Sequence, residues 1–169
     1  MSNPPDVMCD SEINIQEFTY QLLAEKTLTY FDSQKYVDWA VVLLENGHES
    51  ESLIILAGLD SYETEEKEKY FWKSVEELNI KIEKNDFELI DHYADFVAKQ
   101  VIEGKISPII GLNRMLDIVQ ASGYSSEYMQ FYELDEDLDR LNYSENTIFN
   151  IGLAIENKEE YIRKNLSYF

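Results

Sequence analysis

The chain of 169 residues contains little cysteine, proline or glycine, and each shortage excludes a class of structure. Its single cysteine, Cys9, cannot form an intrachain disulfide, which is typical of proteins from reducing compartments. No apolar run approaches the roughly 18 residues needed to cross a bilayer. The first residues lack the basic and apolar regions of a secretory signal. We therefore expect a cytoplasmic protein.

Basic residues are also scarce: 14 Lys and Arg stand against 34 Asp and Glu, which gives a formal net charge of −20. Such a surface repels nucleic acid and anionic membranes and attracts basic proteins. Hydrophobic residues make up 44% of the chain, so the charge does not indicate disorder. Solubility alone needs a net charge of about 2–8 in magnitude. The excess either serves to bind a basic partner or is solvated surface, and the sequence leaves both open.

What the chain does contain is a repeated helical period. The clearest apolar stripe runs from Phe87 to Val101 at intervals of three and four residues, and Gly104 follows it. Ser107 and Pro108 are a typical start for the next helix. Other helices are predicted near 15–24, after 32–33, after 61 or 64, near 126–141 and near 157–166. Residues 53–57 fit a short helix or a buried strand, and we favour a helix because acids and hydroxyls precede them.

These patterns predict an all-α fold without the alternating apolar segments and tight turns of a sheet. We expect a single domain of about eight short helices, packed in antiparallel pairs as an irregular stack of helical hairpins. This domain is predicted to cover residues 11–169, after a flexible leader over residues 1–10. Both tryptophans, Trp39 and Trp72, are expected in the core.

No motif indicates catalysis, a cofactor or a metal site. Glycine-rich phosphate loops are absent, and three arginines are too few to grip phosphate. Glu88 and His92 lie one helical turn apart but have no further ligands at a suitable spacing. We predict that the protein is not an enzyme and that it binds neither a cofactor nor a metal.

The acids between positions 135 and 139 resemble the start of a calcium loop in their spacing. The match then fails, because Arg140 stands where such a loop needs glycine and Asn146 where it needs glutamate. A solvated acidic turn or an anionic contact patch is the better interpretation.

The segment 124–139 interleaves aromatic residues with a dense group of acids. Tyrosine provides a large contact area at low entropic cost, and neighbouring carboxylates can pair with Lys and Arg of a partner. Acids at such close spacing repel one another, so no folding role is predicted for them. In the alternative interpretation, the aromatic residues are core and the acids are solvated. Phe131, Leu134, Leu138 and Leu141 are expected in the core under both. The predicted partner-binding residues are Tyr128, Tyr132, Glu133, Asp135, Glu136, Asp137 and Asp139.

A Trp-Ala helix, a glycine stop and a second apolar helix follow one another in residues 36–59. They read Tyr36-Val37-Asp38-Trp39-Ala40, then Gly47, then Ser50-Glu51-Ser52-Leu53-Ile54-Ile55-Leu56-Ala57-Gly58-Leu59. This pattern resembles small, acidic, all-helical bacterial proteins, some of which are similar to immunity proteins of polymorphic toxin systems. The resemblance covers about a quarter of the chain. Because its residues are structural, it supports the fold more than the function, and no toxin-contacting residue is carried over.

The leading hypothesis is a non-catalytic, acidic binding protein of bacterial origin. The resemblance implies an immunity protein that neutralises a basic toxin such as a nuclease. One alternative is a DNA-mimicking regulator of nucleic-acid enzymes. Another is a structural or small-molecule-binding helical module whose acidity is incidental. The expected partner is a basic protein, with no nucleic acid and no membrane, and the oligomeric state is left open.

Overall fold

The computed structural model describes residues 13–28, 30–60 and 62–169. Helices account for 67% of these described residues, and no strand is present among them. The prediction of an all-α fold with eight helices is therefore confirmed. The expected leader and Cys9 lie outside the described residues. The elements in chain order are α1 (Ile15–Thr27), α2 (Gln34–Glu45), α3 (Glu51–Ala57), α4 (Thr64–Glu77), α5 (Asp86–Ile102), α6 (Pro108–Ala121), α7 (Met129–Asn142), a short 3₁₀ helix η1 (Ile155–Asn157) and α8 (Lys158–Ser167).

Several helices begin where side chains satisfy the free backbone N–H groups of the first turn. The Ser50 hydroxyl accepts a hydrogen bond from the Leu53 amide at 3.2 Å, which confirms a helix over residues 53–57. At the start of α5, Asn85 and Glu88 form a reciprocal capping box. The Ser107 hydroxyl caps α6 as predicted.

The described residues form two compact units. The first comprises residues 13–22, 32–60 and 62–82, and the second comprises residues 23–28, 30–31 and 83–169. Residues of α1 belong to both units, with the division after Leu22. The single domain predicted over residues 11–169 stays a prediction.

The core of the first unit is built around aromatic side chains of α2 and α4. The Phe71 ring lies 4.7 Å from the ring of Tyr36 and 4.9 Å from that of Trp39, measured between centroids. The Trp39 indole N–H donates to the buried Thr19 hydroxyl, so this tryptophan is in the core as predicted. Trp72 is exposed instead, because it follows Phe71 directly and points about 100° away around the helix.

The second unit packs α5 against α6 and α8, and α6 against α7 and α8. The predicted stripe of α5 is buried from Ile90 to Val101. Phe87 is an exception, since it is 72% exposed. Burial on α5 begins at Leu89, so Phe87 lies in a first turn that no neighbouring element covers completely.

Three helices of the second unit approach one another closely at Gly111 of α6. A Cβ atom at this position would overlap Val101 Cγ2 and would lie 3.3 Å from Leu166 Cδ1. Both neighbouring side chains are buried, and valine is stiff about its χ1 angle. The absence of a side chain at position 111 therefore lets α5, α6 and α8 pack together.

We expect Gly111→Ala to lower the free energy of unfolding by about 1–3 kcal/mol, because overpacking outweighs the helix propensity of alanine. Urea denaturation of both proteins measures this difference. The control is Gly58→Ala, whose Cβ would approach nothing closer than 3.6 Å. A stability of Gly111→Ala equal to or above that of the wild type would contradict the close approach.

Candidate protein-binding site

The structure divides the seven predicted contact residues between the interior and the surface. Two of them are buried: Tyr128 is 2% exposed and Asp137 is 0% exposed. The other five reach solvent, and we call them the acidic face of α7: Tyr132, Glu133, Asp135, Glu136 and Asp139. Only these five of the seven predicted residues remain candidates for contact with a partner.

The helical period of α7 explains this division. Phe131, Leu134 and Leu138 form a buried stripe, as predicted, and Leu141 is half-buried. Asp137 directly precedes Leu138 and follows Leu134 by three residues, so it lies beside the same stripe. The acids at positions 135, 136 and 139 point away from it.

Tyr128 is a structural residue at the start of α7, which corrects its assignment to the contact surface. Its ring packs against Phe169 with centroids 5.6 Å apart. Its hydroxyl donates a hydrogen bond to the Asp91 carboxylate on α5. Burial, the hydrogen bond and the charge of Asp91 together raise the pKa of the Tyr128 hydroxyl far above its usual range. The first turn of α7 is thus fixed to α5 by a neutral phenol.

Asp137 holds the segment between α7 and η1, which we call the α7–η1 loop (residues 143–154). Its Oδ1 accepts from the Ile148 amide at 2.6 Å, and its Oδ2 accepts from the amides of Phe149 at 2.9 Å and Asn150 at 2.6 Å. The Asn150 side chain donates a fourth hydrogen bond at 3.0 Å. Burial acts to raise the pKa of this carboxyl, but the four hydrogen bonds outweigh it, and the pKa is lowered. The expectation that Asp137 has no folding role is therefore corrected.

We expect Asp137→Asn to lower the free energy of unfolding at pH 7 by about 2–4 kcal/mol, because an amide NH₂ would face backbone donors. The lowered pKa means that the carboxylate stabilises the fold above the ordinary Asp pKa of about 3.9, and that this contribution disappears as pH falls through the folded-state pKa. The difference between the two proteins should accordingly shrink below about pH 4.

The matched control for this measurement is Asp139→Asn, two residues further along the helix on the exposed side. We expect its unfolding free energy to stay within about 0.5 kcal/mol of the wild type. Equal losses in the two variants, or no loss at position 137, would contradict the role of the buried carboxylate.

Among the residues that the structure describes, no Lys or Arg forms an ion pair with a carboxylate of the acidic face. Burial first, and then the charges of Asp139 and Glu136, raise the pKa of Asp135. Arg140 is the basic residue of α7, but its guanidinium pairs with Glu145 at 3.0 Å and donates to the Asn146 carbonyl at 2.8 Å. It is therefore directed to the loop and leaves the carboxylates of the face to repel one another.

Replacing Asp135 by Asn is expected to raise the free energy of unfolding at pH 7 by about 0.2–0.5 kcal/mol, because it removes the desolvation cost of a partly buried carboxylate and its repulsion by Asp139 and Glu136. A carboxyl with a raised folded-state pKa destabilises the fold while it is ionised. The gain should vanish below the ordinary Asp pKa of about 3.9, where the wild-type group is protonated in both states. Urea titrations at pH 7 and pH 3.5 test this, with Glu49→Gln, an exposed acid between α2 and α3, as the control. A destabilised Asp135→Asn variant at pH 7 would contradict a destabilising charge at this position.

An aromatic pair borders the acidic face. The rings of Tyr124 and Tyr132 meet edge to face, with centroids 6.3 Å apart and an interplanar angle of 78°. Both side chains are exposed. Such rings offer polarised faces and hydroxyl groups to a partner, in addition to the charge of the neighbouring acids.

The α7–η1 loop is a feature of this surface that the sequence patterns did not reveal. Its exposed side chains include Tyr143, Ile148, Phe149 and Ile151, whereas Leu153 is buried and fixes its end. The only local signal is an apolar group, Ile148, Phe149 and Ile151, that belongs to no helical stripe. Exposed apolar residues next to an acidic helix are typical of protein interfaces.

The described ranges contain no grouped metal ligands, and two depressions are visible on their surface. The acids at 135–139 lie within the continuous helix α7, so they do not form a calcium loop. No group of three or more His, Cys, Asp or Glu in these ranges is arranged to hold a metal ion. Two open depressions of about 420 Å³ lie at the starts of α4 and α8. Each is lined by one short stretch of chain, unlike ligand sites where groups from several elements converge.

Comparison of the chain with known protein families, with curated proteins and with solved structures found no match. Among the helices of the described residues, none is both long and apolar enough to cross a membrane.

Proposed function

We propose that this chain is a non-catalytic binding protein that covers a basic protein partner with the acidic face of α7. The observation that carries the proposal is the uncompensated charge of that face. Burial first, and then the charges of Asp139 and Glu136, raise the pKa of Asp135, and Arg140 is paired with Glu145 and the Asn146 carbonyl of the loop. A cationic partner would relieve the repulsion between these carboxylates, and this relief would add to the free energy of binding.

The partner that fits best is a basic toxin, such as a nuclease, against which the chain acts as a cytoplasmic immunity protein. Nuclease active sites are positively charged because they hold phosphates. An acidic helix can occupy such a site, and the net charge of −20 accelerates the encounter by electrostatic steering. The resemblance of residues 36–59 to acidic helical bacterial proteins supports the same class of function. Its residues are structural here, since Trp39, Leu53 and Leu56 are buried.

A DNA-mimicking regulator would use the same carboxylates but would bind proteins that recognise duplex DNA. The α7–η1 loop adds exposed apolar residues to these carboxylates. An interface with both apolar and charged contacts is typical of protein partners, whereas imitation of a phosphate backbone needs charge alone. A small-molecule-binding module is less well supported, because the two depressions each involve a single stretch of chain.

The test first searches the proteins encoded beside the gene for this chain for one with a basic C-terminal domain, and then measures binding to that domain. Co-expression should restore growth of cells that produce this domain, and stopped-flow mixing should show association that slows as salt rises. The triple variant Asp135→Asn, Glu136→Gln, Asp139→Asn should associate about 10-fold more slowly at low salt, with a weaker salt dependence, because the steering charges are removed.

The matched control removes the same charge from the first unit, through Glu45→Gln, Glu49→Gln and Glu65→Gln, three exposed acids. Its association rate should stay within about 2-fold of the wild type, since these charges lie outside the acidic face and contribute only to the overall field. Equal slowing in the two triple variants would show that the net charge, and not the acidic face, determines association. Failure to bind any basic domain encoded beside the gene would contradict the immunity function.

A further inference from the structure

The α7–η1 loop presents large apolar side chains to solvent at four of its positions. Tyr143 is 81% exposed, Ile148 61%, Phe149 48% and Ile151 93%. Isolated exposed apolar residues are common on protein surfaces, but here they come from one short loop. Ile148 and Ile151 are of particular interest because an isoleucine side chain is hydrated less favourably than a polar side chain would be at the same exposed position.

The loop is held in place by side chains on both sides of it. Asp137 accepts from three successive loop amides, and Arg140 binds the Asn146 carbonyl. At the other end, the Asn157 side chain donates to the Gly152 carbonyl and accepts from the Ala154 amide, each at 2.8 Å. A loop fixed in this way loses little conformational entropy when a partner covers it.

The same contacts keep the apolar side chains exposed. A buried carboxylate such as Asp137 is costly to desolvate and is tolerated only with a full set of hydrogen bonds. Its bonds take up the backbone N–H groups of residues 148–150 on the inner side of the loop. With their backbone bound inward, Ile148 and Phe149 stay largely exposed. This arrangement of the backbone therefore favours exposure of the two side chains to solvent.

Charge decides which kind of partner can cover this surface. Residues 129–157, which include α7, the loop and η1, contain seven acids and one basic residue, Arg140. Arg140 is already paired with Glu145 of the loop. A second copy of the chain would bring two sets of carboxylates together, and an anionic membrane would repel the segment in the same way. A basic protein is the partner whose charge complements it.

We infer that Ile148 and Ile151 are apolar anchors that enter a pocket on a basic protein partner, with the acidic face of α7 as the charged rim of the same interface. The basic character of the partner rests on the proposed function. In such an interface the apolar anchors set the dissociation rate, whereas the charged rim sets the association rate.

The first experiment places a photo-crosslinking amino acid at single positions of the full chain in the cells that produce it. Position 151 reports on the loop, position 136 on the acidic face and position 102, an exposed isoleucine at the end of α5, is the control. We expect positions 151 and 136, but not position 102, to crosslink to the same protein, which mass spectrometry identifies as basic.

The second experiment measures dissociation of the purified complex with that protein. The variant Ile148→Ser, Ile151→Ser should dissociate about 10- to 100-fold faster, with an association rate and salt dependence close to those of the wild type. The control Ile102→Ser removes an equally apolar exposed side chain and should dissociate as the wild type does. Thermal unfolding of each variant separates lost contacts from lost folding.

Several outcomes would overturn the inference. Crosslinking at position 136 without position 151, or an unchanged dissociation rate in the double variant, would leave the acidic face as the binding site and exclude the loop. Crosslinks from position 151 to a second copy of the chain, to lipid or to an acidic protein would assign the loop another occupant. The absence of crosslinks at both positions would contradict the inference and the proposed function together.

Discussion

The buried carboxylate of Asp137 is the constraint on which the surface of the second unit depends. Backbone N–H groups need hydrogen-bond acceptors, and the α7–η1 loop has no regular secondary structure to supply them. Asp137 supplies them for three successive residues at distances of 2.6–2.9 Å. Because the acceptor is a side chain of α7, the loop and the helix take up one fixed arrangement.

The orientation of α7 follows from its attachments. Tyr128 fixes the first turn through its hydrogen bond to Asp91, Phe131 and Leu134 pack in the middle, and Asp137 fixes the later part through the loop. The buried residues occupy neighbouring positions around the helix, and Glu133, Asp135, Glu136 and Asp139 are left to reach solvent. The acidic face is a consequence of how α7 is held, and burial together with the like charges of Asp139 and Glu136 raises the pKa of Asp135.

The parts of this structure that could be predicted depend on neighbours in the chain. Helix starts at Ser50 and Ser107 rest on contacts three residues away, and the stripe of α5 rests on a local period. The roles of Tyr128 and Asp137 depend on partners 37 and 11–13 residues distant. Local charge spacing shows that the acids at 135, 137 and 139 repel. It does not show that one of them meets the amides of a later loop.

This difference changes what the acidity of the chain means for function. Composition treats every carboxylate alike, whereas the structure buries Asp137 in a hydrogen-bonding role and leaves its neighbours Asp135, Glu136 and Asp139 in contact with solvent. The loop that Asp137 positions adds apolar area, which attraction alone cannot supply. Charge acts over about 8–10 Å in physiological salt and brings partners together, while apolar contacts act only once water is excluded and slow their separation. A single buried carboxylate thus places the long-range and short-range parts of one candidate interface on α7 and the loop that follows it.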